Sequence, residues 1–143
     1  MSLSQELQIG KAGEHLVCCD LIEKGYNAFL ADQGLPYDVV FDRYGLKRVG
    51  VKTCTKRGSY GKSRNVYRFS LRSGKGATRS IKADSIDYIA FVFLDKRLVQ
   101  YIPVGTITTA GGFLKQCIDF REEGKTKYVI GGFSEVCLNI KSF

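Results

Sequence analysis

The chain has 143 residues, 44% of them hydrophobic and 25% charged, with a mean hydropathy of −0.11. These values exclude a disordered polymer and leave room for one globular domain, read here as spanning residues 1–143. The longest uncharged apolar run, 88–94, is far below the roughly 20 residues of a membrane-spanning helix. The first 25 residues are charged and carry no signal-peptide pattern, so a cytoplasmic protein with no membrane partner is expected. Five scattered cysteines without a C-x-x-C pair point to reduced thiols, mostly small core residues, over a disulfide frame or zinc site.

In chain order, Ile9, Gly13, Val17 and Leu21, with Ala12, Leu16 and Ile22 beside them, recur at helical spacing over 4–24, and Gly25 supplies the stop. Short strands are expected at 26–31 and 37–42, separated by a turn at 32–34, and a third at 47–55 after the turn 43–46. The glycine- and lysine-rich stretch 56–64 reads as a mobile loop. In the strand expected at 66–72, Tyr67, Phe69 and Leu71 alternate with Arg68, Ser70 and Arg72. The run 88–94 fits a buried central strand, with 98–102 as its hairpin partner. Beyond Pro103, the spacing of Phe113, Leu114, Cys117 and Ile118 suits a short helix, and 128–130 and 136–140 suit terminal strands. One helix, a run of strands and later helical material predict a single mixed α/β core.

The charge is not spread evenly. The formal net charge is +8, and between Arg43 and Ala83 stand thirteen Lys or Arg and no Asp or Glu. Tyr44, Tyr60, Tyr67, Phe69 and several glycines interleave with them, a mixture suited to phosphate contact through cations and close-approaching backbone. The residues expected to touch nucleic acid are Lys56, Arg57, Lys62 and Arg64 in the loop and Arg68 and Arg72 on the following strand. The plainer reading is a solvated basic face.

Glu14, three and seven residues before Val17 and Leu21, projects from the apolar stripe of the first helix. With a three-residue turn 44–46, the antiparallel register sets Asp38 opposite Lys52 and Asp42 opposite Arg48. Glu14 then approaches Asp38 and Lys52 from above, with Gln33 a weaker fourth candidate. Two carboxylates and a backbone carbonyl can hold Mg²⁺, and a lysine beside them suits metal-assisted phosphodiester hydrolysis. Without a metal, Asp38 and Lys52 make a half-buried structural ion pair. Asp42 and Arg48 read as a rim salt bridge, Asp84 and Asp87 as turn or capping groups, and the lone His15 as a surface residue. Gly124-Lys125-Thr126 and Gly61-Lys62-Ser63 lack the glycine that a phosphate-binding loop requires five residues before the glycine.

The order Gly10-x-x-Gly13-Glu14, Pro36-Tyr37-Asp38 and Val49-Gly50-Val51-Lys52-Thr53 resembles the PD-(D/E)xK nuclease superfamily, in particular group I intron homing endonucleases and archaeal Holliday-junction resolvases. The similarity continues through 85–90 to 101–103. It implies a restriction-endonuclease-like mixed central sheet with an αβββαβ core flanked by helices. It also implies a metal-dependent DNA endonuclease acting on double-stranded or branched DNA, a homodimer or homotetramer, with Mg²⁺ or alternatively Mn²⁺. Glu14, Asp38 and Lys52 carry over as the catalytic residues. The family pattern has an acidic residue, or sometimes glutamine, two positions before the lysine, and this chain has Gly50 there. Three readings stay open: Asp38, Glu14 and the Val51 carbonyl form the metal set; Gln33 compensates; or the domain is a catalytically inactive DNA-binding module.

Overall fold

The computed structural model describes residues 4–73 and 79–122. Its long helix, α1 (Gln5–Glu23), starts where the Ser4 hydroxyl accepts the Leu7 N–H at 3.3 Å. It ends in a left-handed glycine, Gly25 (φ 94°), with the Tyr26 N–H on the Leu21 carbonyl and the Gly25 N–H on that of Ile22. Gly13, Val17 and Leu21 are its buried stripe, while Ile22 is exposed.

Five strands form the main sheet: β1 (Ala28–Leu30), β2 (Val39–Asp42), β3 (Leu46–Cys54), β8 (Tyr88–Phe93) and β9 (Leu98–Pro103), in the order β1-β2-β3-β8-β9. Only the β3–β8 pair is parallel, so the sheet is mixed, as expected. The β2–β3 register differs from the expected one by two residues: Val39 faces Val49 and Asp42 faces Leu46, which sets Asp38 beside Gly50 rather than Lys52. A shift of two keeps every side chain on its face, so Asp38 and Lys52 still share one.

α1 lies over the face carrying Val49, Val51 and Thr53. A Cβ on Gly13 would stand 1.8 Å from the Thr53 hydroxyl oxygen, so only glycine lets helix and strand approach this closely. The opposite face, carrying Gly50, Lys52 and Cys54, is covered by a second sheet, β10-β5-β4, made of β4 (Gly58–Tyr60), β5 (Ser63–Ser70) and β10 (Cys117–Phe120). Tyr67, Phe69 and Phe120 pack there on Phe91 and Phe93, with ring centroids 4.9–5.7 Å apart. Covered on both sides, β8 is buried from Ile89 to Phe93, which explains its unbroken apolar run.

Three expectations are corrected. The stretch 56–64 holds the β4–β5 hairpin, turning at Gly61 (φ 59°), in place of a loop. The helix expected around Phe113 to Ile118 is absent, and Cys117–Phe120 pairs with β5 as a strand. The crossover from β3 to β8 runs through β4, β5 and the two-stranded ribbon β6 (Arg72–Ser73) with β7 (Arg79–Ser80), where the αβββαβ pattern has a helix. Among the described residues α1 is the only α-helix. The strands expected at 128–130 and 136–140 lie outside the described residues, as does Cys137. Cys18, Cys19, Cys54 and Cys117 are free thiols; Cys19 and Cys117 are exposed, not core.

Candidate active site

Asp38 is fixed from three directions. Its backbone N–H donates to the Val49 carbonyl at 2.9 Å, and its carbonyl accepts the Ala31 N–H at 2.8 Å. Its carboxylate Oδ2 accepts the Val51 N–H at 2.8 Å. β2 has ended at this point while β3 runs on to Cys54, so the side chain takes the place of a missing strand partner. The N–H and C=O of a strand residue point to the same edge, so the Val51 carbonyl also faces the Asp38 side.

Lys52 is half-buried on the face shared with Asp38, and its ammonium donates to the Arg72 carbonyl at 3.0 Å. Burial lowers its pKa, against which the Asp38 charge acts. Burial raises the Asp38 carboxyl, opposed by the Val51 N–H, Lys52 and Lys11. Glu14 is half-buried, its carboxyl raised by burial and then by the charge of Asp38, with Lys11 opposing at a 4.0 Å ion-pair distance. Glu14 stands on α1, which packs on the other face of the sheet, so it does not line the cleft with Asp38 and Lys52 and is linked to Asp38 through its charge alone.

A cleft of about 460 Å³ opens beside Asp38 and Lys52, lined also by Gly50, Lys82, Ser85 and Ile86. Gly50 contributes no side chain, and a Cβ there would stand 3.0 Å from Cδ1 of Ile89 and 3.5 Å from Cδ1 of Ile86. Both neighbours are the flexible ends of isoleucines. Gln33 is exposed in the turn before β2 and does not line the cleft.

Among the described residues no three His, Cys, Asp or Glu side chains converge on one point. The oxygen donors available are the Asp38 carboxylate, the Glu14 carboxylate on which its charge acts, and the Val51 carbonyl on the Asp38 edge, all hard oxygen atoms. That set fits a Mg²⁺-type ion, which needs only one or two carboxylates and keeps several waters. Burial raises both the Glu14 and the Asp38 carboxyl, a cost that a nearby cation would offset.

The basic residues divide into two groups. Lys56, Lys62 and Arg64 are exposed. Arg57 pairs with Glu122 at 3.1 Å, Arg72 bonds the Gln116 side chain, and Arg68 holds Asp119 through two 2.8 Å hydrogen bonds while lying 4.4 Å over the Tyr60 ring. Two smaller expectations also change. Arg48 pairs with Asp87 at 3.1 Å, and Asp42 accepts the Gly45 N–H within its turn. Asp87 is therefore an ion-pair partner 39 residues away, which local sequence cannot reveal.

A family model described as PD-(D/E)XK endonuclease matches residues 4–129. The chain belongs to the PD-(D/E)XK endonuclease family. Members of this family generally use divalent metals. A solved structure, the bacterial homing endonuclease I-Ssp6803I, is similar with a TM-score of 0.62 and 20% identity, over 89% of this chain and 81% of that one. No curated protein matches. The superfamily and the mixed-sheet fold inferred from Glu14, Asp38 and Lys52 are thus the ones found, and no helix among the described residues is long and apolar enough to cross a membrane.

Proposed function

We propose that this PD-(D/E)XK protein is a metal-dependent DNA endonuclease that hydrolyses phosphodiester bonds in duplex or branched DNA. The observation that carries the reading is that Asp38 and Lys52 line one cleft, with the charge of Asp38 acting on both Lys52 and Glu14. Glu14, Asp38 and the Val51 carbonyl would hold the ion, Mg²⁺ or alternatively Mn²⁺, which when bound supplies Lewis-acid stabilisation of phosphorane charge and a lowered water pKa. Asp38 orients the β3 edge through the Val51 N–H. Lys52, half-buried and held by the Arg72 carbonyl, places its amine where it positions the attacking water or meets charge on the phosphate. Lys56, Lys62 and Arg64 are the cations open to DNA phosphates, with Arg57 and Arg72 available once their internal partners yield, while Arg68 stays on Asp119 and the Tyr60 ring. A homodimer or homotetramer supplies the two sites that cutting both strands requires, in a single-domain cytoplasmic protein.

Supercoiled-plasmid nicking with Mg²⁺, Mn²⁺ or EDTA tests this. Metal-dependent cleavage is expected, abolished in Asp38→Asn and reduced about 10²–10³-fold in Lys52→Ala, the cost of losing one preorganised group that stabilises transition-state charge. Gly50 supports a second reading, a DNA-binding module that does not cut. Under it the wild type binds and does not nick, and Gly50→Glu, accommodated by a small shift of the Ile89 and Ile86 side-chain ends, gains metal-dependent nicking.

A further inference from the structure

Away from the cleft at Asp38, a second concavity of about 270 Å³ is lined by Arg57, Arg64, Asn65, Arg121 and Glu122. These residues are brought together by strand pairing, not by one run of charge. Arg57 immediately precedes β4, Arg64 and Asn65 lie on β5, and Arg121 immediately follows β10, the three strands of the second sheet. The single anion among them is held as a bound ligand is held. One Glu122 oxygen accepts from Arg57 at 3.1 Å, and the other meets the Lys96 ammonium at 2.9 Å. A backbone phosphodiester likewise offers two non-bridging oxygens to cations, with arginine the side chain best shaped to take them.

We propose that this concavity seats a non-scissile backbone phosphodiester of duplex DNA, and that Glu122 occupies it as an internal phosphate mimic until DNA displaces it. The inference rests on the endonuclease reading for its ligand and adds Arg121, Asn65 and Glu122 to the DNA-contacting surface. With Glu122 in place the three lining guanidiniums keep a positive excess, so the seat still attracts a polyanion. Displacing Glu122 exchanges one carboxylate for one phosphate and leaves Arg57 paired throughout.

Binding of a fluorescein-labelled duplex is followed by anisotropy in EDTA over a series of NaCl concentrations. The Arg64→Ala/Arg121→Ala variant is expected to bind more weakly and to lose about 0.9 from the magnitude of the log–log salt slope, the value for one phosphate contact. Glu122→Gln is expected to bind more tightly than wild type, a gain that misfolding cannot produce. Glu23→Gln, removing the same formal charge from α1, controls for net charge. A double variant with wild-type slope, or a Glu122→Gln protein that binds no tighter than Glu23→Gln, overturns the seat. In either event, weakening by Lys56→Ala/Lys62→Ala leaves the DNA reading standing, whereas DNA bound by no form sinks both. Inorganic phosphate at matched ionic strength is expected not to compete. Competition seen in the wild type and lost in the double variant would reassign the seat to free phosphate and overturn the proposal.

Discussion

Asp38 carries two burdens, a charge and a hydrogen bond, and they can be separated. Its folded-state pKa is raised by burial, so the folded protein binds a proton more readily than the unfolded chain does. By linkage, its contribution to stability is fullest below the unfolded value near 3.8 and is lost as pH rises through the raised folded value. At neutral pH the metal-free protein therefore bears the cost of a buried charge. Asp38→Asn keeps an oxygen for the Val51 N–H and removes the charge. Thermal unfolding in EDTA should show a higher Tm than wild type at pH 7, and the gap should close as the pH falls towards 3. A gap independent of pH would mean that the charge is not what costs stability. Asp38, Lys52 and Glu14 could be singled out in the sequence because a motif carries residue identity in short windows. The partners of Arg48 and Arg68 were invisible, since Asp87 and Asp119 come to them from 39 and 51 residues away.

Elements were legible where their pattern was self-contained. α1 announced itself by its period, its Ser4 cap and Gly25, and β8 by an apolar run too short for a spanning helix. The segment around Phe113 to Ile118 shows the opposite case. Apolar residues at i, i+1, i+4 and i+5 suit a helix, yet β5 offers a strand edge and a Phe69–Phe91–Phe93 cluster that buries Ile118 and Phe120 at period two. The distant partner overrides local spacing. Gly13 is the tightest joint between elements. Gly13→Ala should destabilise the protein by about 1–3 kcal/mol, the usual cost of overpacking, as read from chemical denaturation. Thr53→Ala in the same chain removes the clashing hydroxyl and should recover most of that loss. A pair of variants whose effects simply add would show that the contact is not the cause.

Across the whole molecule, the acid-free basic segment pointed to an anionic partner, but its charges do not all remain available. Arg68 is committed to Asp119 and the Tyr60 ring, so the aromatic interleaving that suggested phosphate contact partly serves the second sheet. Arg68→Ala is expected to lower the thermal midpoint slightly, through loss of a partly exposed ion pair and a cation–π contact, and to leave the salt slope of DNA binding unchanged. A slope reduced as much as by losing Lys56 or Lys62 would place Arg68 on the DNA instead. A mixed α/β core was readable from the order of elements, and the mixed central sheet from the family resemblance. That its second face is closed by strands, with the parallel crossover routed through them, was not, because nothing in a run of glycine and lysine announces a hairpin that closes a core.

The place where β2 stops and β3 continues has one more consequence. An unpaired stretch of strand backbone is an invitation to any neighbouring chain to add a strand, and natural sheets refuse it with an inward-pointing charge at the edge. Asp38 is such a charge, already bonded to the first exposed N–H of β3. The residue proposed to hold a metal therefore also guards the sheet against pairing with its own copies. That second duty gives the chain a reason to keep a carboxylate at this edge even in a lineage that has ceased to cut DNA.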